Sequence, residues 1–364
     1  MNALFRIWYS IQHTLFPWLE EELDPLTEKE RQFIQVVSLI DLERHIRPYD
    51  WSGIGRKRKE RINIAKAFIA KAVYNLETTD LLIQYLHSCK NLRRLCGWEY
   101  SGSIPSKSTF SRAFAEFSEG NLTQEIHEAM IKEHVGGKIA GHISRDSTAI
   151  EAREKPVKKE QCKEQSPKRK RGRPRKGEQV SAKAPKRLDL QPKRSLEENL
   201  EDLPNQCDVG AKRNSKGYIE TWGGYKLHID CIDGDIPVSA ILTSASVHDS
   251  QVAIPLAQMS SERVTNLYDL MDSAYDAPQI RTFSEQLGHR PIIDNNPRRG
   301  EKVHMDPATR DRFKQRSSVE RVNSNLKDNH GGRNVRVRGA AKVMTHLMFG
   351  IIVITGIQLF RMLA

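Results

Sequence analysis

The sequence predicts an all-helical N-terminal region followed by a mixed α/β sheet domain, an α+β chain overall, and three observations carry that expectation. As far as about Val135 the apolar residues recur at three- and four-residue steps, the spacing that places them on one side of a helix. From His142 the texture changes to short β-rich runs, two of them joined through Asp233-Gly234, a dipeptide suited to a tight hairpin. Beyond Leu242 such runs alternate with helical stretches, which implies a parallel half to the sheet.

In the helical region, Thr27-Glu28-Lys29-Glu30 has the spacing of a capping box, with Phe33, Val36, Val37 and Ile40 behind it. Ile62, Ala65, Phe68, Ile69, Ala72 and Val73 form a second amphipathic series. Between Cys89 and Phe117 the chain reads as a helix, a turn containing Gly97 and Gly102-Ser103-Ile104-Pro105, and a helix starting near Ser106. This is compatible with a helix-turn-helix whose Lys107, Ser108, Ser111 and Arg112 enter a major groove, and equally with a plain helical bundle.

Strands are expected at Ile143–Ile150, at Tyr218–Ile232 through Gly223-Gly224, and at Ile236–Leu242, Asn266–Met271 and Arg290–Ile293. Helices are expected at Asp249–Met259 and Asp276–Leu287, with another opening at Asp306-Pro307, where aspartate caps and proline loses no needed N–H. Three strands joined by tight turns and then strands alternating with helices follow the order of a ribonuclease-H-like fold. Val343–Leu363 is long enough to span a bilayer, yet it contains His346, Gln358 and Arg361, so it reads as a buried terminal helix and no membrane partner is expected. The organisation predicted is a helical DNA-binding region at 1–138, a sheet domain at 139–154 and 216–364, and an insert at 155–215 rich in proline, lysine and glutamate. Such a composition cannot offset the entropy of ordering, so the insert is expected to be mobile.

The formal charge of +12 points to a polyanionic partner. Lys155–Arg194 holds 16 basic and 4 acidic residues, the whole of that excess; Arg298–Lys342 holds 13 and 5, balanced by acidity elsewhere. Five scattered cysteines without a CxxC pair fit reduced thiols in a cytoplasmic protein and argue against a zinc site. No signal peptide is read at the N-terminus.

Three acids fall where this fold can bring them together. Asp146 lies mid-strand, Asp272 follows Leu267–Met271, and Glu320 sits in the last-named helix. Carboxylates clustered in a partly dry site repel one another and need cations, so two magnesium ions are the expected ligands. Phe313, Arg316, Glu320 and Lys327 are spaced to share one face of a single helix, a metal-ligating acid between two phosphate binders.

That quartet resembles the Y-x2-R-x3-E-x6-K signature of bacterial insertion-sequence DDE transposases, with Phe313 in place of the usual tyrosine. The likeness extends to Gly224-Tyr225-Lys226-Leu227-His228, to Ser246-Val247-His248-Asp249-Ser250, to Asp272-Ser273-Ala274-Tyr275-Asp276, and to Leu15-Phe16-Pro17-Trp18-Leu19 at the start of the helical region. The resemblance implies that Asp146, Asp272 and Glu320 are catalytic and bind the metal, magnesium with manganese able to substitute. It further implies that Arg316 and Lys327 hold DNA phosphates, with Lys226 and His248 as neighbours. The implied partners are the element's terminal inverted repeats, target DNA and a second copy in a homodimer or larger synaptic complex, in a bacterial cytoplasm at the nucleoid.

In the insert, Lys168-Arg169-Lys170-Arg171-Gly172-Arg173-Pro174-Arg175-Lys176 is similar to an AT-hook, in which Arg171 and Arg173 would lie in a narrow A·T minor groove; a solvated polybasic linker is the alternative. Two rivals stand beside a transposase at this point: a non-catalytic DNA-binding protein derived from one, and a nuclease that cuts without joining.

Overall fold

The computed structural model describes residues 25–47, 59–157, 185–213, 216–295 and 304–363. The Leu15–Leu19 motif and the AT-hook-like segment with Arg171 and Arg173 lie outside the described residues.

Helices α1 (Glu28–Ser38), α2 (Leu42–His45), α3 (Arg61–Val73), α4 (Thr79–Ser88), α5 (Lys90–Leu95), α6 (Lys107–Glu119) and α7 (Leu122–His134) come first. The Thr27–Glu30 capping box forms as expected, the Glu30 carboxylate accepting from the Thr27 N–H at 2.7 Å. The helical region does not close a core of its own. Phe33, Phe68, Phe110, Phe114 and Phe117 share one apolar cluster with Phe349, Ile352, Val353 and Leu359 from the far end of the chain.

Strand β1 (Ile139–Glu151) opens the sheet, followed by α8 (Arg187–Leu190), α9 (Leu196–Asp202), β2 (Asp208–Arg213), β3 (Ile219–Ile232) and β4 (Ile236–Ser244). Next come α10 (Ala253–Ser261), β5 (Thr265–Met271), α11 (Pro278–Gln286) and β6 (Arg290–Ile293). The chain closes with α12 (Pro307–Phe313), α13 (Ser317–Asn329) and α14 (Ala340–Leu363). β1 is central, antiparallel to β3 and parallel to β5; β6 runs parallel beside β5, and β3 carries β4 along its second half and β2 along its first, both antiparallel. Asp306 caps α12 by accepting from the Thr309 N–H, with Pro307 in the first turn. The apolar tract forms the 24-residue α14, with 78% of its most apolar window buried inside the protein, which agrees with the buried terminal helix expected.

Two expectations need correction. The insert at 155–215 is folded over its second half: α9 docks on α10 through Asn199 Nδ2 to Gln258, Gln191 just after α8 donates its Nε2 to the Gln251 carbonyl in the turn before α10, and β2 joins the sheet. The missing apolar content is compensated by buried amides with specific acceptors and by backbone pairing. Nor do Phe313, Arg316, Glu320 and Lys327 lie on one α-helix, because Lys314–Arg316 form a 3-10 turn that separates α12 from α13. Side-chain periodicity is nearly the same in both helix types, so spacing could not reveal the break.

Gly224 marks where β3 passes from β2 to β4, with φ +155°, and a Cβ there would collide with the carbonyl oxygen of Ile150 on β1. Gly224→Ala is expected to destabilise the fold by at least about 3 kcal/mol, since strain and backbone overlap act together. A shift in the denaturant midpoint would measure it, and an unchanged midpoint would mean that β1 and β3 are not paired at this register.

Candidate active site

The pleat decides which side chains of β1 meet. Ser144 and Asp146 point toward α13: the Ser144 hydroxyl donates to the Gln315 carbonyl and the Asn323 Nδ2 donates to Asp146 at 3.2 Å. Arg145 points to the opposite face and is bound bidentately by Asp230 on β3, at 2.8 and 2.7 Å, with Ser260 of α10 donating to the same carboxylate. This buried pair fixes β1 directly behind Asp146.

Asp272 arrives from the neighbouring strand. Arg145 of β1 is in register with Met271 of β5, so the next residues, Asp146 and Asp272, lie side by side at the carboxyl end of the parallel pair. Asp272 caps the short turn Ser273–Tyr275 by accepting from the Ala274 N–H at 2.9 Å, which leaves its other oxygen free of that bond. Burial raises the Asp146 pKa to about 6, and repulsion from Asp272 and Asp249 adds to that effect, while Ser147 N–H and Arg316 oppose it. Asp272 is raised for the same two reasons, burial and the nearby Asp249. Beneath them Tyr275 is buried, with its hydroxyl lacking a hydrogen-bond partner.

The shift at Asp146 has a consequence for stability. In the fold its carboxyl holds a proton up to about 6, whereas the ordinary value is 3.8. Between these values the folded chain binds more protons than the unfolded one, so this group makes stability fall as pH rises through the window. Asp146→Asn is therefore expected to melt above the wild type near neutral pH, with the difference closing as the pH falls below about 4. Thermal melts across that range check it, and a lower melting temperature near neutral pH would overturn the assignment.

Glu320 is brought to the same neighbourhood but not into the cluster. α13 packs its Val319, Val322 and Leu326 against the sheet, so its face is turned toward the strands that carry the aspartates. The Glu320 carboxylate is ion-paired to Arg316 one turn earlier and is half exposed, 53% for its side chain. Among the described residues no three His, Cys, Asp or Glu side chains converge closely enough to hold a metal ion. Arg316 also lies 5.8 Å from the centre of the Phe313 ring and within electrostatic reach of both Asp146 and Asp272.

A transposase DDE domain model matches residues 140–355, and a transposase domain model, DUF772, matches residues 21–116. The chain belongs to the DDE transposase family. No curated protein and no solved structure matches it. Membership indicates DNA transposition, hence DNA as a partner, and divalent-metal chemistry of the family's type.

Within this transposase the remaining expected residues are placed as follows. Lys327, four residues beyond Asn323 on α13, is half-buried, and its pKa is lowered by burial and by repulsion from Arg333 and Lys212. Lys226 donates to the Val247 carbonyl at 2.8 Å and to Asp249 at 3.0 Å, so it holds the loop after β4. His248 is exposed beside Ser250, and Arg112 is exposed on α6. Asp249–Met259 is not one helix: a 3-10 turn at Asp249–Gln251 precedes α10, which leaves the Asp249 carboxylate to accept from Ser147 and Lys226.

Three residues beside the aspartates were not among the candidates from the sequence: Asn323, Lys212 and Asp249, the last noted only within the motif around His248. Asn323 could have been found, since 316, 320, 323 and 327 step by four, three and four along one stripe. Lys212 could not, because it depends on β2 pairing with β3 to come within electrostatic reach of Asp272 and Lys327.

Proposed function

We propose that this transposase cuts DNA strands at the ends of its element and joins the freed 3′ ends to target DNA by phosphoryl transfer at Asp146 and Asp272, with Glu320 as the third acid. The observation that carries the reading is the side-by-side placement of Asp146 and Asp272 on adjacent parallel strands, both held toward the protonated form by burial and by the nearby Asp249. The strand order supports a ribonuclease-H-like catalytic domain, and the Arg316, Glu320 and Lys327 spacing supports the YREK group, with phenylalanine for its tyrosine.

The donor set fits a pair of divalent ions, magnesium or manganese in its place. It is all oxygen, and the Asn323 Oδ1 beside Asp146 is buried without a partner. Such ions, when bound, activate the attacking water or 3′-hydroxyl and neutralise the leaving oxygen. The chain's own groups do the rest. Asp146 sheds its proton to become a ligand, so activity declines below about pH 6. Asn323 orients the Asp146 carboxylate, and Arg316, Lys327 and Lys212 take DNA phosphates. When Arg316 turns to a phosphate it frees Glu320, which lies one turn before Asn323 and rotates toward Asp146.

The protein works in the bacterial cytoplasm at the nucleoid, on the element's terminal inverted repeats and target DNA, as a homodimer or larger synaptic complex; His248 flanks the DNA, and Arg171 and Arg173 add minor-groove or non-specific affinity. Incubation with end-sequence duplex and magnesium should yield cleaved and joined products. Cleavage without joining would favour a nuclease, and binding without either would favour a non-catalytic DNA-binding protein.

A further inference from the structure

A second basic feature lies away from the aspartates, where α3, α4 and α6 meet the α13–α14 connection. There a cavity of about 760 Å³ is lined by Lys71, Lys107, Arg153, Arg336, Arg338 and Lys342. Its two acids are already engaged, Glu77 with Arg336 at 3.3 Å and Asp80 with Lys107. Among the described residues no carboxylate forms an ion pair with Lys71, Arg153, Arg338 or Lys342. Burial lowers the Lys71 pKa to about 8, with Glu77 only partly opposing it. Four cations without a carboxylate partner around one cavity make it a focus of positive potential, a surface suited to an anion from outside.

The walls are pre-formed. His330 and His346, both in the lining, are held neutral mainly by burial and bond the carbonyls of Ala72 and Gly331 at 3.0 Å each. Asn75, at φ 52°, clasps the same connection, donating to the Asp328 carbonyl at 2.8 Å and accepting from the Gly331 N–H at 3.0 Å. The helical region and the C-terminal segment are thus locked together across the cleft.

We infer that this cleft binds the sugar-phosphate backbone of double-stranded DNA, holding the inner part of the duplex whose end lies at Asp146 and Asp272. Only the second half of that statement rests on the proposed cleavage reaction. Three features favour an extended backbone over a small anion. The aromatic residues of the lining, Phe68, Phe114 and Phe349, are packed on one another and offer no free face to a base. Lys107 and Ser111 continue out of the cavity onto a shallow groove with Ser108 and Arg112, the exposed face of α6. Arg153 lies seven residues past Asp146, in the bend just after β1 ends at Glu151, roughly 20 Å away at the rise of a strand. That length is about six steps of a duplex. Lys327, within electrostatic reach of Lys212 and Arg333 as well as of Glu151 and Asp328, adds a further cation near the far end of β1.

The test compares the wild type with Arg153→Ala/Arg338→Ala/Lys342→Ala, three exposed changes, and with Lys71→Met. The probe is a fluorescent 30-base-pair end-sequence duplex, measured by anisotropy over a salt series. The triple variant should bind at least about tenfold more weakly and lose roughly two to three from the slope of log affinity against log salt. Lys71→Met should weaken binding in the same direction. In a second arm, neutral methylphosphonate links are placed about six base pairs from the cleavage position. They should weaken the wild type and leave the triple variant unaffected, because the contact is already gone. An unchanged salt slope with an intact melting curve would overturn the proposal, as would a triple variant that remains sensitive to the neutral links. Asp272→Asn separates the two readings: if it abolished no cleavage while the cleft variants still lost affinity, the catalytic assignment would fail and the cleft would stand.

Discussion

Asp272→Asn is expected to reduce strand cleavage and strand transfer by at least about a thousandfold, the several kcal/mol that a metal-binding acid supplies to a phosphoryl-transfer transition state. The substitution isolates the charge from the fold. Asparagine caps as well as aspartate does, so the bond from the Ala274 N–H and the turn Ser273–Tyr275 survive. Removing a carboxylate whose charge is opposed by burial and by the nearby Asp249 should leave the melting temperature unchanged or higher. Glu320→Gln should show a comparable loss of activity with little effect on stability, since the Arg316 pair it breaks is half exposed and such pairs contribute about 0 to 1 kcal/mol. The measurement is a gel assay of labelled end-sequence DNA with magnesium, paired with thermal melts. Near-wild-type activity in Asp272→Asn would remove the aspartate pair as the site of chemistry. Near-wild-type activity in Glu320→Gln alone would mean that the carboxylate stays with Arg316 during the reaction, and that Asp249 or Asn323 completes the set.

The reach of the sequence is clearest at this site. Asp146 and Asp272 could be named because each sits on or after an apolar run whose register follows from local pattern, and the strand order brought the two runs together. Glu320 could be named from its spacing to Arg316 and Lys327, yet its pairing could not, since spacing alone does not say whether the carboxylate turns to Arg316 one turn earlier or to the aspartates. β2 was hidden for a different reason. Asp208-Val209-Gly210-Ala211-Lys212-Arg213 has almost no apolar face, and its stability comes from backbone hydrogen bonds to the adjoining strand β3, so side-chain pattern does not announce it although the partner is close in sequence. A charged edge strand also resists pairing with other chains, so the composition that concealed it has a physical use. The shared core was likewise out of reach: the amphipathic series of α3 and α6 require a partner, but nothing local specifies that α14, from the other end of the chain, fills it.

Asp230→Asn is expected to destabilise the protein by about 3–5 kcal/mol, because it strands the Arg145 guanidinium in the interior. Arg145 is 2% exposed and Asp230 0%, so neither charge can recover hydration by a small movement. Burial works against the guanidinium's charge, and the Asp230 carboxylate more than offsets it, so Arg145 stays charged and titrates above its usual range. Asp269 moderates the loss. It lies within electrostatic reach of Arg145, and its own carboxylate is held by Asn266, Ser284 and His289, which places the expected value toward the lower end of that range. In melting temperature the change amounts to a fall of about 4–7 °C for a chain of this size. The catalytic consequence follows from the alternation along β1: Arg145 and Asp146 are neighbours on opposite faces, so loosening one releases the backbone that aims the other. Asp230→Asn should therefore lose cleavage activity even at temperatures where it remains folded. The double variant Arg145→Met/Asp230→Leu, which buries no charge, should recover most of the stability. If it recovered activity as well, the pair would serve stability alone; if it melted like the wild type but cut poorly, the ion pair would be what positions Asp146 for metal binding.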